Sequence, residues 1–205
     1  MSKADSSMWD KRFSQDDYVF GTEPNAFLKS QAHLFAADRE VLAVADGEGR
    51  NGVFLAKLGA NVTALDFSKP ALEKGQRLAE RNDVTLKSVH QDLNEWQADE
   101  EAFDAVVAIF IQFAGPEARA RLFEQIKRAV KPGGLIVMQG YRPEQINNGT
   151  GGPPFVENMY TSAILEEAFG DFEILHLEEH DDVIEEGAGH SGISALIDLV
   201  ARKRL

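Results

Sequence analysis

The residues with the clearest chemical promise lie in VLAVADGEGRNGVFLA, residues 41–56, where an apolar run breaks into Gly47-Glu48-Gly49 and passes directly into a helical pattern. Glycines there let the backbone bend tightly and approach a ligand with no Cβ in the way. The following helix aims free N–H groups and the positive end of its dipole at whatever occupies the turn. Gly47, Gly49 and Gly52 satisfy G-x-G-x-x-G, a spacing that also serves dinucleotides and is weak alone. Two acids sharpen it. Asp66 closes the next β-rich run about 20 residues on, where a carboxylate accepts from both ribose hydroxyls. Asp92, in HQDLNEW, follows the third run, placed to accept from an adenine amine, and Phe67 is placed to lie on the adenine face. Two acids at strand ends beside a glycine turn point to a nucleoside site.

The elements that must position these residues follow from alternating patterns. Apolar β-rich runs occur at 41–45, 62–66, 84–90, 104–110 and 135–141, separated by helical patterns at 51–58, 69–81 and 116–130. That alternation predicts a sheet of parallel strands with crossover helices. Lys131-Pro132-Gly133-Gly134 stops the third helix and turns the chain into the fifth strand. A helix over 162–169, a strand around 172–177 and an apolar run at 193–200 complete the chain. The last two strands leave no room for a crossover helix and must pair antiparallel. Residues 178–190, EEHDDVIEEGAGH, offer histidines and carboxylates without a spacing that fixes metal ligands on one face, so they read as a solvated hairpin connection. Residues 1–37 carry Trp9, Phe13, Tyr18, Phe20, Phe27 and Phe35, more aromatic side chains than a spacer needs, and should form helices over the domain edge or its ligand.

At 205 residues one domain spanning 1–205 is expected, with 38–205 as its core. Acidic side chains number 34 against 21 basic ones, a net charge of −13 that disfavours nucleic acid and anionic lipid as partners. The absence of cysteine removes disulfides, thiolate metal sites and cysteine nucleophiles. No apolar stretch reaches membrane-span length and MSKADSSMWDKRF lacks a signal-peptide core, so a cytoplasmic protein is expected.

The succession of glycine turn, Asp66, Asp92, FDAVVAIF and KPGG resembles the class I S-adenosylmethionine-dependent methyltransferases over about residues 38–140. GRN after the turn, the start WDKRF…YVFGTEPNAFL and the GTGGPPF segment resemble, more narrowly, the small-molecule group that includes tellurite- and thiopurine-type enzymes. The resemblance implies a Rossmann-like α/β fold, a seven-stranded, mostly parallel sheet with its last strand antiparallel and helices on both faces. It also implies S-adenosylmethionine as cofactor and a small-molecule methyl acceptor. Carried over by position, Ala45, Asp46, Gly47 and Gly49 form the loop under the methionine part, and Arg50 and Asn51 begin the helix beside it. Asp66 holds the ribose, Phe67 and Leu93 flank the adenine, Asp92 meets its amine, and backbone at Ala108 and Ile109 lies under the cofactor. Two positions depart from the family pattern: Ala43 stands for an acid and Ala45 for a glycine, with Asp46 a candidate substitute for the acid.

Methyl transfer from a sulfonium is an in-line displacement that needs alignment and dryness more than a dedicated nucleophile. Candidates around the acceptor are Tyr18, Gln112, Tyr141, Arg142 and His190, with His190 and Tyr141 the candidates for proton transfer. Two rival readings stay open: a nicotinamide-dependent oxidoreductase, which the glycine pattern and Asp66 serve equally, and a non-catalytic S-adenosylmethionine-binding protein.

Overall fold

A computed structural model describes residues 3–187 and 189–205. The chain opens with helix α1 (Lys3–Phe13) and a short helix α2 (Ala26–Ser30), then alternates strands and helices: β1 (Glu40–Val44), α3 (Arg50–Lys57), β2 (Asn61–Asp66), α4 (Lys69–Arg81), β3 (Lys87–His90), β4 (Phe103–Ile109), α5 (Pro116–Ala129) and β5 (Val130–Tyr141). It closes with α6 (Ser162–Phe169) and the long strands β6 (Glu173–Glu186) and β7 (His190–Arg202). The seven strands form one sheet in the order β3-β2-β1-β4-β5-β7-β6. β7 runs antiparallel to both neighbours and every other pairing is parallel. The parallel strands and crossover helices are those the alternation predicts, and the arrangement is the Rossmann-like one the resemblance implies. Strand order reverses between β1 and β4, and ligands of open α/β sheets gather at the carboxyl ends beside such a switch.

Alternation along the strands gives each face its own core. Val41, Ala43, Val62, Ala64, Val107, Val137 and Val200 pack against α2, α3 and α4 through Leu28, Leu55 and Leu78. Leu42, Val106, Ile136, Met138 and Leu199 pack against α5 and α6 through Ile126, Leu165 and Phe169. α4 follows from its sequence: Ser68 caps it by accepting from Ala71 N–H, and Pro70 stands in its first turn.

Three elements differ from the sequence reading. β3 begins at Lys87, because Val84 N–H is spent on Ala79 C=O at the end of α4. The KPGG turn lies inside β5: Val130 already pairs with Phe103, and regular register resumes at Leu135 after Gly133, whose φ is +76°. The largest difference is the charged run 178–186. It is strand, fully registered on β7 from Glu178↔Asp198 to Glu186↔His190, so the run expected as a solvated connection is ladder as far as Glu186. β6 is an edge strand with polar residues on both faces, which leaves no period-two hydrophobic signal to read. Its extra length carries Glu186 up to the carboxyl end of the sheet. No helix among the described residues is long and apolar enough to cross a membrane.

Candidate active site

The glycine turn forms as its residue types require. Gly49 caps α3 at φ +87°, and a Cβ there would stand 2.6 Å from Gly75 Cα, so α3 and α4 meet backbone to backbone. Gly47 has φ +59°, and a Cβ on it would face only the Phe13 ring at 3.8 Å. Gly52 is constrained by Asp46: Oδ1 accepts from Gly52 N–H at 3.0 Å, and Oδ2 lies 2.4 Å from where a Gly52 Cβ would be. Asp46 therefore turns its carboxylate beneath α3. Ala45, where the family pattern has glycine, sits at φ +51°, a left-handed conformation that costs an L-residue about 1 kcal/mol.

Asp66 is buried at the end of β2, its Oδ2 accepting from Gly47 N–H at 2.9 Å and its Oδ1 from Ser68 N–H at 2.8 Å. Two of the roughly four acceptor positions of a carboxylate are thus used. Among the described residues the N–H groups of Arg50 and Asn51 find no acceptor in the chain. An anionic group at the start of α3 would satisfy them. Phe67 is half-buried beside Asp66. Asp92 is exposed after β3 with Oδ1 accepting from Asn94, while Leu93, Ala108 and Ile109 are buried.

Burial pushes the Asp46 carboxyl up to about 7 and the Asp66 carboxyl up to about 6, against the opposing N–H donors of Gly52 and of Ser68 and Gly47. Both acids hold their proton more tightly folded than unfolded, so their protonation stabilises the fold below the unfolded value of 3.8 and that contribution fades as pH rises through about 6 to 7. Asp46→Asn, which carries no charge at any pH, should therefore gain stability relative to the parent as pH is raised from about 6 to about 8. Parallel thermal melts across that range check it; a constant difference would mean Asp46 does not titrate there.

The remaining candidates divide. Tyr141 and His190 meet at the ends of β5 and β7, ring centroids 5.7 Å apart, with Phe110 and Phe20 against them. Gln112 is buried and clamps Tyr141 by its backbone, donating to Tyr141 C=O at 2.8 Å and accepting from Tyr141 N–H at 2.6 Å. Arg142 points to the other face, as strand alternation demands, and pairs with Asp181 and Glu144. Tyr18 lies against α4, donating to Lys74 C=O at 3.1 Å, and is not brought to Tyr141 or His190.

Two ion pairs that sequence reasoning missed complete the site. Lys74 Nζ meets Glu48 Oε1 at 2.6 Å, both nearly inaccessible, and Glu48 Oε2 accepts from Val19 N–H. Arg50 meets Glu186 Oε2 at 2.6 Å, with Asn25 donating to Glu186 Oε1. Burial opposes the charge on Glu186, but His190 and Arg50 together overcome it and hold the carboxyl at about 2. The only signal in the sequence was Lys74 falling within the buried stripe Ala71, Gly75, Leu78 of α4.

A family model described as a methyltransferase domain matches residues 41–134. Demethylmenaquinone methyltransferase of Clavibacter sepedonicus is 37% identical over 102 residues, which is 50% of this chain and 41% of that protein. The chain thus spans well under two thirds of the curated relatives it first matches. Among solved structures, TehB of Haemophilus influenzae superposes with a TM-score of 0.72 at 18% identity, covering 97% of this chain and 67% of that one. The N-methyltransferase NodS of Bradyrhizobium japonicum WM9, solved with S-adenosyl-l-homocysteine, gives 0.70 at 12% identity and 97% of each chain. At those identities the structures establish the fold alone.

Proposed function

We propose that this chain, which carries a class I S-adenosylmethionine-dependent methyltransferase domain, transfers a methyl group to a small molecule held at the carboxyl end of its sheet. Asp66 carries the reading. It is a buried carboxylate at the end of β2, tied to the glycine turn through Gly47 N–H and keeping acceptor capacity for a ribose diol. The cofactor supplies an electrophilic methyl on a sulfonium. The chain's own residues bind, align and exclude water. Residues 45–49 underlie the methionine part, Arg50 and Asn51 offer it N–H groups, and Asp66 holds the ribose. Phe67 and Leu93 flank the adenine, Asp92 meets its amine, and Ala108 and Ile109 lie beneath. The net charge of −13 argues against nucleic acid as acceptor, and cytoplasmic residence fits the absence of cysteine. The nicotinamide reading loses its support, because the matches over the glycine turn are to methyltransferases.

Asp66→Ala should weaken S-adenosylmethionine binding by about 1–3 kcal/mol through loss of a charged acceptor. With its carboxyl at about 6, the parent should also bind more weakly below about pH 6, where the protonated acid accepts less well. Isothermal titration reads both; unchanged affinity in folded Asp66→Ala would remove Asp66 from the site. Turnover against an acceptor panel separates an enzyme from a non-catalytic binder.

A further inference from the structure

The acidic run of β6 lines a space of its own. Residues 20–27 stand over β5, β7 and β6, and between that cover and the sheet lies a cavity of about 760 Å³. Five carboxylates line it, those of Glu23, Asp182, Glu185, Glu186 and Asp198, and none of its described lining residues is lysine or arginine. Its floor is polar where a covered sheet face is ordinarily apolar: Gln139 is 3% exposed and Asp198 5%. A continuous chain of hydrogen bonds runs through it. Asn25 Nδ2 donates to Glu186 Oε1 at 2.9 Å and to Gln139 Oε1 at 2.7 Å. Gln139 Nε2 donates to Asp198 Oδ1 at 2.6 Å, and His180 Nε2 lies 2.9 Å from Asp198 Oδ2.

The charges in this space are unbalanced. Among the described residues Arg50 pairs with Glu186 from outside the cavity, and no lysine or arginine pairs with the other four acids. Burial holds the Asp198 carboxyl above its ordinary value against the donors Gln139 and His180, a cost that a cation beside it would offset. A carboxylate so far from water, at the floor of a cavity, marks a place where opposite charge is received. The walls suit an organic cation rather than a bare ion. Phe20 and Phe27 offer aromatic faces, over which an ammonium is attracted, and Ile184 and Leu196 offer apolar surface to the body that carries it.

We infer that this cavity binds a small organic cation, an ammonium group on an apolar body, as a non-reacting ligand that fastens the N-terminal cover to the sheet. Asp198 receives the charge at the floor, and the exposed Glu23, Asp182 and Glu185 draw it in at the mouth. The Arg50–Glu186 pair stands between the ligand and the glycine turn, so the cation lies apart from the reacting groups. The cover is tied to the start of α3: Asn25 N–H donates to Asn51 Oδ1 at 2.9 Å, and Arg50 donates to Glu23 C=O at 3.5 Å. A cation that holds residues 23–25 on the sheet therefore steadies the residues that underlie the cofactor, and the two ligands tighten each other's binding. That coupling rests on the methyltransferase reading; the cation site does not.

Isothermal titration of the full chain with tryptamine at neutral pH and low salt tests the site, beside tryptophol and indole-3-acetate, which carry the same ring with no charge and with a negative one. Tryptamine should bind once per chain, tryptophol at least about tenfold more weakly, and indole-3-acetate not at all. Asp198→Asn should weaken tryptamine at least about tenfold, and so should Asp182→Lys, a change at an exposed position that leaves the core untouched. S-adenosylhomocysteine, which lacks the sulfonium charge, should bind about fivefold or more tightly when tryptamine saturates the chain. No tryptamine binding, equal affinity for tryptamine and tryptophol, or undiminished binding in Asp182→Lys overturns the inference. So does S-adenosylhomocysteine affinity that tryptamine leaves unchanged, or methylation of tryptamine by S-adenosylmethionine. A chain that binds tryptamine in the expected order but neither S-adenosylmethionine nor S-adenosylhomocysteine sinks the methyltransferase reading instead and leaves the cation site standing.

Discussion

Replacing Lys74 by methionine is expected to destabilise the fold by about 3–5 kcal/mol, the usual consequence of stranding one charge of a buried pair. Among the described residues Glu48 is then left with Val19 N–H as its one partner, at a side-chain exposure of 2%. Lys74 Nζ also donates to Asp17 C=O at 2.6 Å and lies 5.2 Å from the centre of the Tyr18 ring, so the substitution frees the N-terminal segment from α4 as well. Glu48 is the middle residue of the glycine turn. Cofactor affinity should fall with stability. The double variant Lys74→Met, Glu48→Gln removes both charges and should recover most of the stability, since a neutral amide keeps an acceptor for Val19 N–H. Urea denaturation of the four proteins gives the coupling directly. A cost below about 1 kcal/mol for the single variant would mean that water reaches Glu48, as it does in exposed pairs.

That pair also marks where the sequence stops being legible. β1, β2 and β4 read directly because strands covered on both faces are continuous apolar runs, and α4 read to both ends because Ser68, Pro70 and the apolar stripe agree. The positions of the glycine turn and of Asp66 at the end of β2 were legible because each is set by a few consecutive residues. Glu186 was not. It lies in an edge strand whose two faces are both polar, and its partners Arg50, Asn25 and His190 are brought to it by the sheet order alone. Arg142 pairs with Asp181 on β6 and Tyr18 donates to Lys74 C=O on α4, contacts between distant segments that residue type and spacing do not reveal. The left-handed conformations of Ala45 and Phe110 leave no trace in residue type.

Deleting residues 1–22 should abolish turnover, by at least about 100-fold, because the segment closes the site and aligns what lies under it. Trp9, Phe13 and Phe20 pack together, with Trp9 and Phe13 stacked at 5.3 Å, and Phe13 covers Gly47. Asp10 accepts from the Ser68 hydroxyl at 2.6 Å, fastening α1 over the end of β2 beside Asp66. Phe20 extends the same cover to His190. Aromatic spacing broken by Asp16-Asp17 and Gly21 does not follow one helical face, which is how a cover differs from a core helix. The truncation also strips Val19 N–H from Glu48 and Asp17 C=O from Lys74, so the remaining domain should melt at a lower temperature even where it stays folded. Phe13→Ala separates the two effects. It keeps both of those hydrogen bonds but takes the ring from Trp9 and Phe20 as well as from Gly47, so at a temperature where the variant stays folded cofactor affinity and turnover should fall together. Full activity in the folded truncation would reduce the segment to packing and leave the reacting groups covered by the loop around Gly151 alone.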